Sequence, residues 1–324
     1  MTENVDSKRM NRRRALAIGG SVVGGLITAT SRGINAADAQ PARALGASAL
    51  SQSTIKQIEQ IIAAQGMVSD GVLSIGIDRT DIANVTLRGV PIKPAFQING
   101  NLVFQDLGGG RWMMNSDLAL KGSELDPFID QLLLHDIIFQ AEHQHFYDFS
   151  PLVWFIHFRA AGDPIRIARG VKAALGVTST PFPQTNPVNP KTPLPADALG
   201  KILGAKPSIG ADGIVNFSVP REEAITLGGI RISPNLNVET AVSFQPYGGG
   251  QNAAAAVDYG MVAAEIQNVI GLMRRQGWNI GCLYNQETAE YPQLYFSHQF
   301  KTGNAIELAR EIRAGLNRME VKFT

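Results

Sequence analysis

The chain reads as an α+β protein of two tandem homologous domains, each an antiparallel sheet of hairpins with packed helices. Three observations predict this. The stretch Asp70-Gly71-Val72-Leu73-Ser74-Ile75-Gly76-Ile77-Asp78-Arg79 returns as Asp212-Gly213-Ile214-Val215-Asn216-Phe217-Ser218-Val219-Pro220-Arg221, and later motifs repeat about 141 residues apart. Within each copy, segments alternating with period two precede segments with helical start and stop signals. With 324 residues, 44% of them apolar, the chain can bury the cores of two domains of ordinary size.

The elements follow in order. Ser53 is placed to cap a helix running to about Ala64, with Gly66 as its stop. Val72–Ile77 alternates as a strand, and 85–92 and 95–104 are further strand candidates. Gly108-Gly109-Gly110 is a turn between strands, and 112–120 leads back. Ser123 caps a helix through about Leu134, with Asp126 completing a capping box. Residues 137–147 and 153–160 read as strands. Asp163-Pro164, a cap followed by proline, opens the last helix, to about Leu175.

The same reading applies to the second copy. Gly89-Val90 with Pro94 matches Gly229-Ile230 with Pro234, and Phe104-Gln105 with the triple glycine matches Phe244-Gln245 with Gly248-Gly249-Gly250. Asp117, Glu124, Pro151 and His157 match Asp258, Glu265, Pro292 and His298. The expected organisation is a signal peptide at 1–39, a tail at 40–52, a first repeat at 53–177, a linker at 178–196 and a second, degenerate repeat at 197–324. The linker holds six prolines between Pro181 and Pro195, so it reads as extended rather than folded.

Residues 1–39 carry export signals. Arg12-Arg13-Arg14-Ala15-Leu16 resembles a twin-arginine motif; the Gly- and Ala-rich apolar run 15–30 follows, and Ala37-Asp38-Ala39 is a small-x-small cleavage site. The expected location is the periplasm or the exterior. No later stretch is apolar for long enough to span a membrane. Removing the six basic and three acidic residues of 1–39 from totals of 29 and 28 leaves 23 and 25, a net charge of about −2. That balance argues against a nucleic-acid partner. Cys282 is the only cysteine, which excludes an internal disulfide and a lipobox.

The chemistry concentrates at His143, His145 and His157, three of the five histidines. If the hairpin turns at Pro151, His145 stands opposite His157, their Cβ atoms about 4.5–5.5 Å apart. His143 then lies on the same face, roughly 6.6 Å along the strand. By the same reasoning Gln286 pairs with His298 and Tyr284 sits beside them. Three neutral imidazoles converging on one point suit Zn, Cu, Fe or Ni, and an open position would let a bound water react. The alternative is a metal-free module binding a small molecule in a cleft between the repeats, with His and Tyr as hydrogen-bond partners. His298 is a fourth metal candidate if the copies pack face to face about a pseudo-two-fold axis. A bicupin fits poorly, since no Glu stands four residues after His145.

Other residues carry less. Tyr147, Arg159 and Tyr284 flank the cluster as candidate substrate contacts. Glu142 points to the opposite face by alternation. Asp117 and Glu124, present in both copies, read as caps and turn ends. Arg79 and Arg221 read as structural partners of Asp81 and Glu223, and Cys282 as a small buried strand residue. Whether the protein is an enzyme, and its oligomeric state, are not specified by these patterns.

The motifs taken together resemble the LppY/LpqO-type lipoprotein family, a duplicated bacterial domain of unknown function. The resemblance rests on Asp78-Arg79 and Pro220-Arg221, on Ser116-Asp117-Leu118-Ala119-Leu120 with Glu124-Leu125, on Ala141-Glu142-His143-Gln144-His145 and on Ile156-His157. It covers residues 53–318 and implies the duplicated fold and the histidine site, not a reaction. The lipoprotein cysteine of the namesakes is missing, and the second copy has Tyr284-Asn285-Gln286 where His-x-His is expected.

Overall fold

The computed structural model describes residues 50–324. The expected signal peptide at 1–39, and the 40–52 tail up to residue 49, lie outside the described residues. The first repeat contains α1 (Gln52–Ile62), β1 (Gly66–Ser69), β2 (Val72–Asp78), β3 (Thr86–Leu87), β4 (Val90–Pro91), α2 (Pro94–Gln97), β5 (Asn99–Gly108) and β6 (Arg111–Leu120). It continues through α3 (Leu125–Leu134), β7 (Ile138–His143), β8 (Phe149–Ser150), β9 (Trp154–Gly162) and α4 (Pro164–Leu175). Five strands and β7 form one antiparallel sheet in the order β1-β2-β5-β6-β9-β7, and β4-β3-β8 form a small one.

The second repeat copies this order. It comprises α5 (Ala196–Leu203), β10 (Ser208–Ile209), β11 (Val215–Val219), β12 (Thr226–Leu227), β13 (Ile230–Arg231), β14 (Thr240–Pro246) and β15 (Asn252–Met261). Then come α6 (Ala263–Arg275), β16 (Asn279–Ile280), β17 (Glu290–Tyr291), β18 (Tyr295–Asn304) and α7 (Ala305–Leu316). Its sheets run β10-β11-β14-β15-β18-β16 and β13-β12-β17. Two tandem α+β domains are therefore the fold.

Strand alternation decides what meets what. In β6, Trp112, Met114, Leu118 and Leu120 point to the helix side and share a core with Ile58 of α1, Phe128 of α3 and Val171 of α4. In β15, Ala255, Val257, Tyr259 and Met261 do the same with Val269 of α6 and Ile312 of α7. Each fully buried aromatic or aliphatic side chain in these cores is worth about 1.5–3 kcal/mol. The opposite sheet faces turn toward each other. Val72, Val103 and Met113 of the first repeat pack with Ile225, Leu227, Leu236 and Phe296 of the second. Val85, Leu87 and Phe155 pack with Ala254, Ala256 and Phe300. Each repeat's small sheet thus covers part of the other repeat's large sheet.

This contact is reciprocal, the mark of an isologous interface. Gln105 Oε1 accepts from the Ser233 N–H at 2.7 Å, and the matching Gln245 Oε1 accepts from the Lys93 N–H at 2.8 Å. The copies are related by a pseudo-two-fold axis, and the inner sheet faces enclose what lies on it.

Local expectations fared unevenly. Helix α4 begins at Pro164, with the Asp163 carboxylate accepting from the Arg166 N–H at 2.7 Å. The triple glycine makes its turn with all three φ angles positive (81°, 63° and 75°), which glycine adopts without steric cost. The first helix, however, is capped by Ser51, not Ser53. Residues 85–92 form only the two-residue strands β3 and β4, and 94–97 are one helical turn because Pro94 opens them. The turn before α3 is closed by Glu124, whose carboxylate accepts from the Lys121 N–H at 2.9 Å; Asp126 does not serve as its capping box. Between Pro181 and Pro195 the linker has no helix, and Gln184 ties it to Asp78 at 3.0 Å.

Candidate metal centre

The expected hairpin at Pro151 is not there. Strand β7 ends at His143, and the chain leaves the large sheet so that β8 can pair with β3, Leu87 opposite Phe149. The register of β7 on β9 therefore sets Ala141 opposite His157 and His143 opposite Phe155. His145 lies in the bend beyond the strand, not across from His157. In the second copy Tyr284 bridges Phe296, and Gln286 does not pair with His298.

The three histidines converge nonetheless. His143 and His157 sit on the same inner face, one diagonal step apart, with their Nε2 atoms 2.9 Å from each other. His145 reaches the group from the bend. One ligand atom from each of the three lies within 4.8 Å of the other two. His145 and His157 are buried and His143 is partly buried. Burial, which disfavours the charged imidazolium, pushes His143 down to about 3 and holds His145 and His157 well below the ordinary histidine range. They are neutral, lone-pair-bearing groups at neutral pH. His143 Nδ1 and both nitrogens of His145 are buried without a hydrogen-bond partner. An unpartnered buried polar atom costs about 1–3 kcal/mol, so both rings carry nitrogens open to a further partner.

Both repeats supply packing around these rings. His145 is sandwiched between Phe155, with centroids 3.3 Å apart, and His298, at 3.6 Å. His143 stacks on Tyr284 at 3.6 Å. Tyr284 and His298 occupy the positions equivalent to His143 and His157, so the axis brings both sets of equivalent residues to the same place. Gly281 makes this approach feasible. A Cβ there would collide with the His145 carbonyl oxygen and with the Phe146 ring.

His298 is adjacent to the cluster but turned elsewhere. Its Nδ1 faces Cys282 Sγ at 3.2 Å and its Nε2 faces Asp258 Oδ2 at 3.6 Å. Burial holds it, too, below the usual range. Cys282 is only partly buried and lies at the His298 ring rather than in a strand. Burial raises its thiol out of the reactive range.

A cavity of about 850 Å³ opens between the inner sheet faces and reaches His145, His157, His298 and Tyr284. Asp117 and Asp258 line it and are mid-strand residues opposite His157 and His298, not caps or turn ends. Burial pushes Asp117 up to about 6 and Asp258 well above the carboxylate range. Their signal was present in the sequence: in both copies the residue sits on the strand face opposite the apolar, helix-packed one.

The remaining candidates divide. Tyr284 lines the cavity. Tyr147 is 60% exposed in a turn and does not line it. Arg159 is buried in a contact between the repeats, donating to Gln140 Oε1 and to the Thr288 carbonyl, both at 2.9 Å. Glu142 is an exposed residue on the opposite face of β7. Arg79 and Arg221, fully buried, hold matching ion pairs, Arg79 with Asp81 and Glu124 and Arg221 with Glu223 and Glu265. The triple glycines are hairpin turns.

Comparison with known proteins agrees with the internal symmetry. The chain matches the family described as Domain of Unknown Function (DUF1259) over residues 56–177 and again over 197–318. The chain belongs to this family. No curated protein and no solved structure matches it. Among the described residues no helix is long and apolar enough to cross a membrane.

Proposed function

We propose that this protein binds one transition metal through His143, His145 and His157, and presents it to a small molecule entering between the repeats. The carrying observation is the set of three neutral imidazoles, two buried and one partly buried, with ligand atoms within 4.8 Å and several of their nitrogens unpartnered. Zinc, copper, iron and nickel all accept imidazole nitrogen. Three protein ligands leave an open position, where a metal can polarise a substrate or activate water. His298 stacks on His145 and faces Asp258; we assign His298 to the packing of His145 rather than to the ligand set.

Export belongs to the same proposal. Arg13-Arg14 and the apolar run after them support passage to the periplasm in folded form, with the metal inserted beforehand.

Metal analysis of protein purified without an affinity tag tests the site. One equivalent of metal per chain is expected, and none in His143→Ala/His145→Ala. A folded, metal-free protein from metal-replete cells contradicts the reading. The 850 Å³ cavity favours a second reading in that event, a metal-free binding module whose ligand lies between the repeats.

A further inference from the structure

The cavity runs from an exposed rim at Met67, Val68 and Lys206 to a floor at half-buried Asp117 and Asp258 and the buried His145, His157 and His298. Its wall carries five carboxylates, Asp70, Asp78, Asp117, Glu239 and Asp258, against one ammonium, Lys206. Removing carboxylates from water without matching cations is costly. These acids do not converge on a bare metal ion. Among the described residues, the one group of three or more ligand atoms within 4.8 Å is the histidine cluster.

What the cavity lacks is cations to match its carboxylates. Asp258 and Asn101 line it, and the Oδ1 atom of each is buried and accepts from nothing in the protein. His145, only 6% exposed, faces the same space with both ring nitrogens unpartnered. Asp117 accepts from the Asn101 N–H at 3.1 Å and from Asn237 at 3.4 Å, which leaves its charge uncompensated. Several separated carboxylates along one cleft match a chain of N–H donors better than a point charge or a neutral polyol.

We infer that the cleft binds a linear organic polyamine, with a terminal ammonium between Asp117 and Asp258 at the floor and further ammonium groups along the other carboxylates toward the rim. This rests on the second reading above, that the cavity takes a small molecule, and not on the metal. Calorimetric titration of the exported chain, stripped of metal by chelation, with spermidine tests it, using sorbitol and citrate as neutral and anionic controls.

Saturable binding of one spermidine, at least tenfold tighter than either control, is expected. Asp117→Asn/Asp258→Asn should weaken it tenfold or more while preserving side-chain shape. Ser74→Lys, on the cavity face of β2, should do the same by placing a competing ammonium in the cleft; melting curves confirm that each variant is folded. Spermidine binding no tighter than sorbitol, or unchanged in both variants, overturns the inference. Sorbitol binding more tightly overturns it too, yet leaves the cavity reading standing, and metal loading measured separately decides the metal site.

Discussion

The two repeats share a scaffold and differ in their rings. Arg79 with Glu124 and Arg221 with Glu265 are the same buried ion pair built twice, and Gln105 and Gln245 make the same contact across the axis. At the inner face the copies diverge: His143 and His145 in the first stand where Tyr284 and Gln286 stand in the second. The difference teaches that the second copy has not simply lost a site. Because equivalent positions meet at the axis, two separate His clusters would compete for one volume. Tyr284 and His298 instead form the surface on which His143 and His145 stack.

The shared scaffold should yield the largest effect. Arg79→Ala strands the buried Glu124 carboxylate and should cost about 3–5 kcal/mol. Arg221→Ala should cost a similar amount in the second copy, and urea melts of the two variants will show whether the copies are equally braced. A loss confined to one repeat breaks the equivalence.

Next comes the ring packing. Tyr284→Ala and His298→Ala should each lower metal affinity about 10–100-fold, the usual cost of losing an outer-shell partner. Competition with a chromophoric chelator measures this. Complete loss in His298→Ala would instead make His298 a ligand. Gly281→Ala, which drives a methyl into the His145 backbone, should fall in the same range, with a destabilisation of about 1–3 kcal/mol from overpacking. Restoring the first-copy residues, Tyr284→His/Gln286→His, should leave the stoichiometry at one metal per chain.

The pH dependence of stability contrasts a raised carboxyl of the second copy with depressed histidines of the first. Burial pushes the Glu287 carboxyl up to about 7. The folded state keeps that proton while the unfolded state releases it above the ordinary glutamate value. Glu287 therefore costs stability progressively as pH rises from about 4.5 to 7, by up to about 1.4 kcal/mol per pH unit. The first-copy histidines have the opposite slope. Their folded pKa values are depressed, so the unfolded state gains protons below about 6.5 and stability is lost as pH falls toward 3. Glu287→Gln should flatten the first slope and His143→Gln should reduce the second, both read from melting temperature against pH in metal-free protein. Least of all, Glu142→Ala and Tyr147→Phe should change neither metal content nor stability by more than about 0.5 kcal/mol.

The part of this legible in the sequence was local. Asp163-Pro164 announces its helix because cap and proline act on adjacent atoms, and the duplicated motifs reveal two copies without any knowledge of their packing. The histidines were found as a spacing, but not their geometry. Their register depends on β8 leaving to pair with β3, some sixty residues earlier in the chain, which no local pattern encodes. Asp117 and Asp258 were misread because recurrence in both copies suits a structural residue. Only the pairing of β6 with β9 and of β15 with β18 sets them against His157 and His298. Gly281 carries its reason in the other repeat, in the His145 backbone it must clear.

The central claim is that one metal sits on the axis, held by the first copy and packed by the second. Anomalous diffraction at the absorption edge of the bound metal tests it most directly. The account predicts a single peak within bonding distance, about 2.0–2.1 Å for zinc, of nitrogens from His143, His145 and His157. A metal-loaded crystal with no peak there, or with its peak held by other residues, contradicts it.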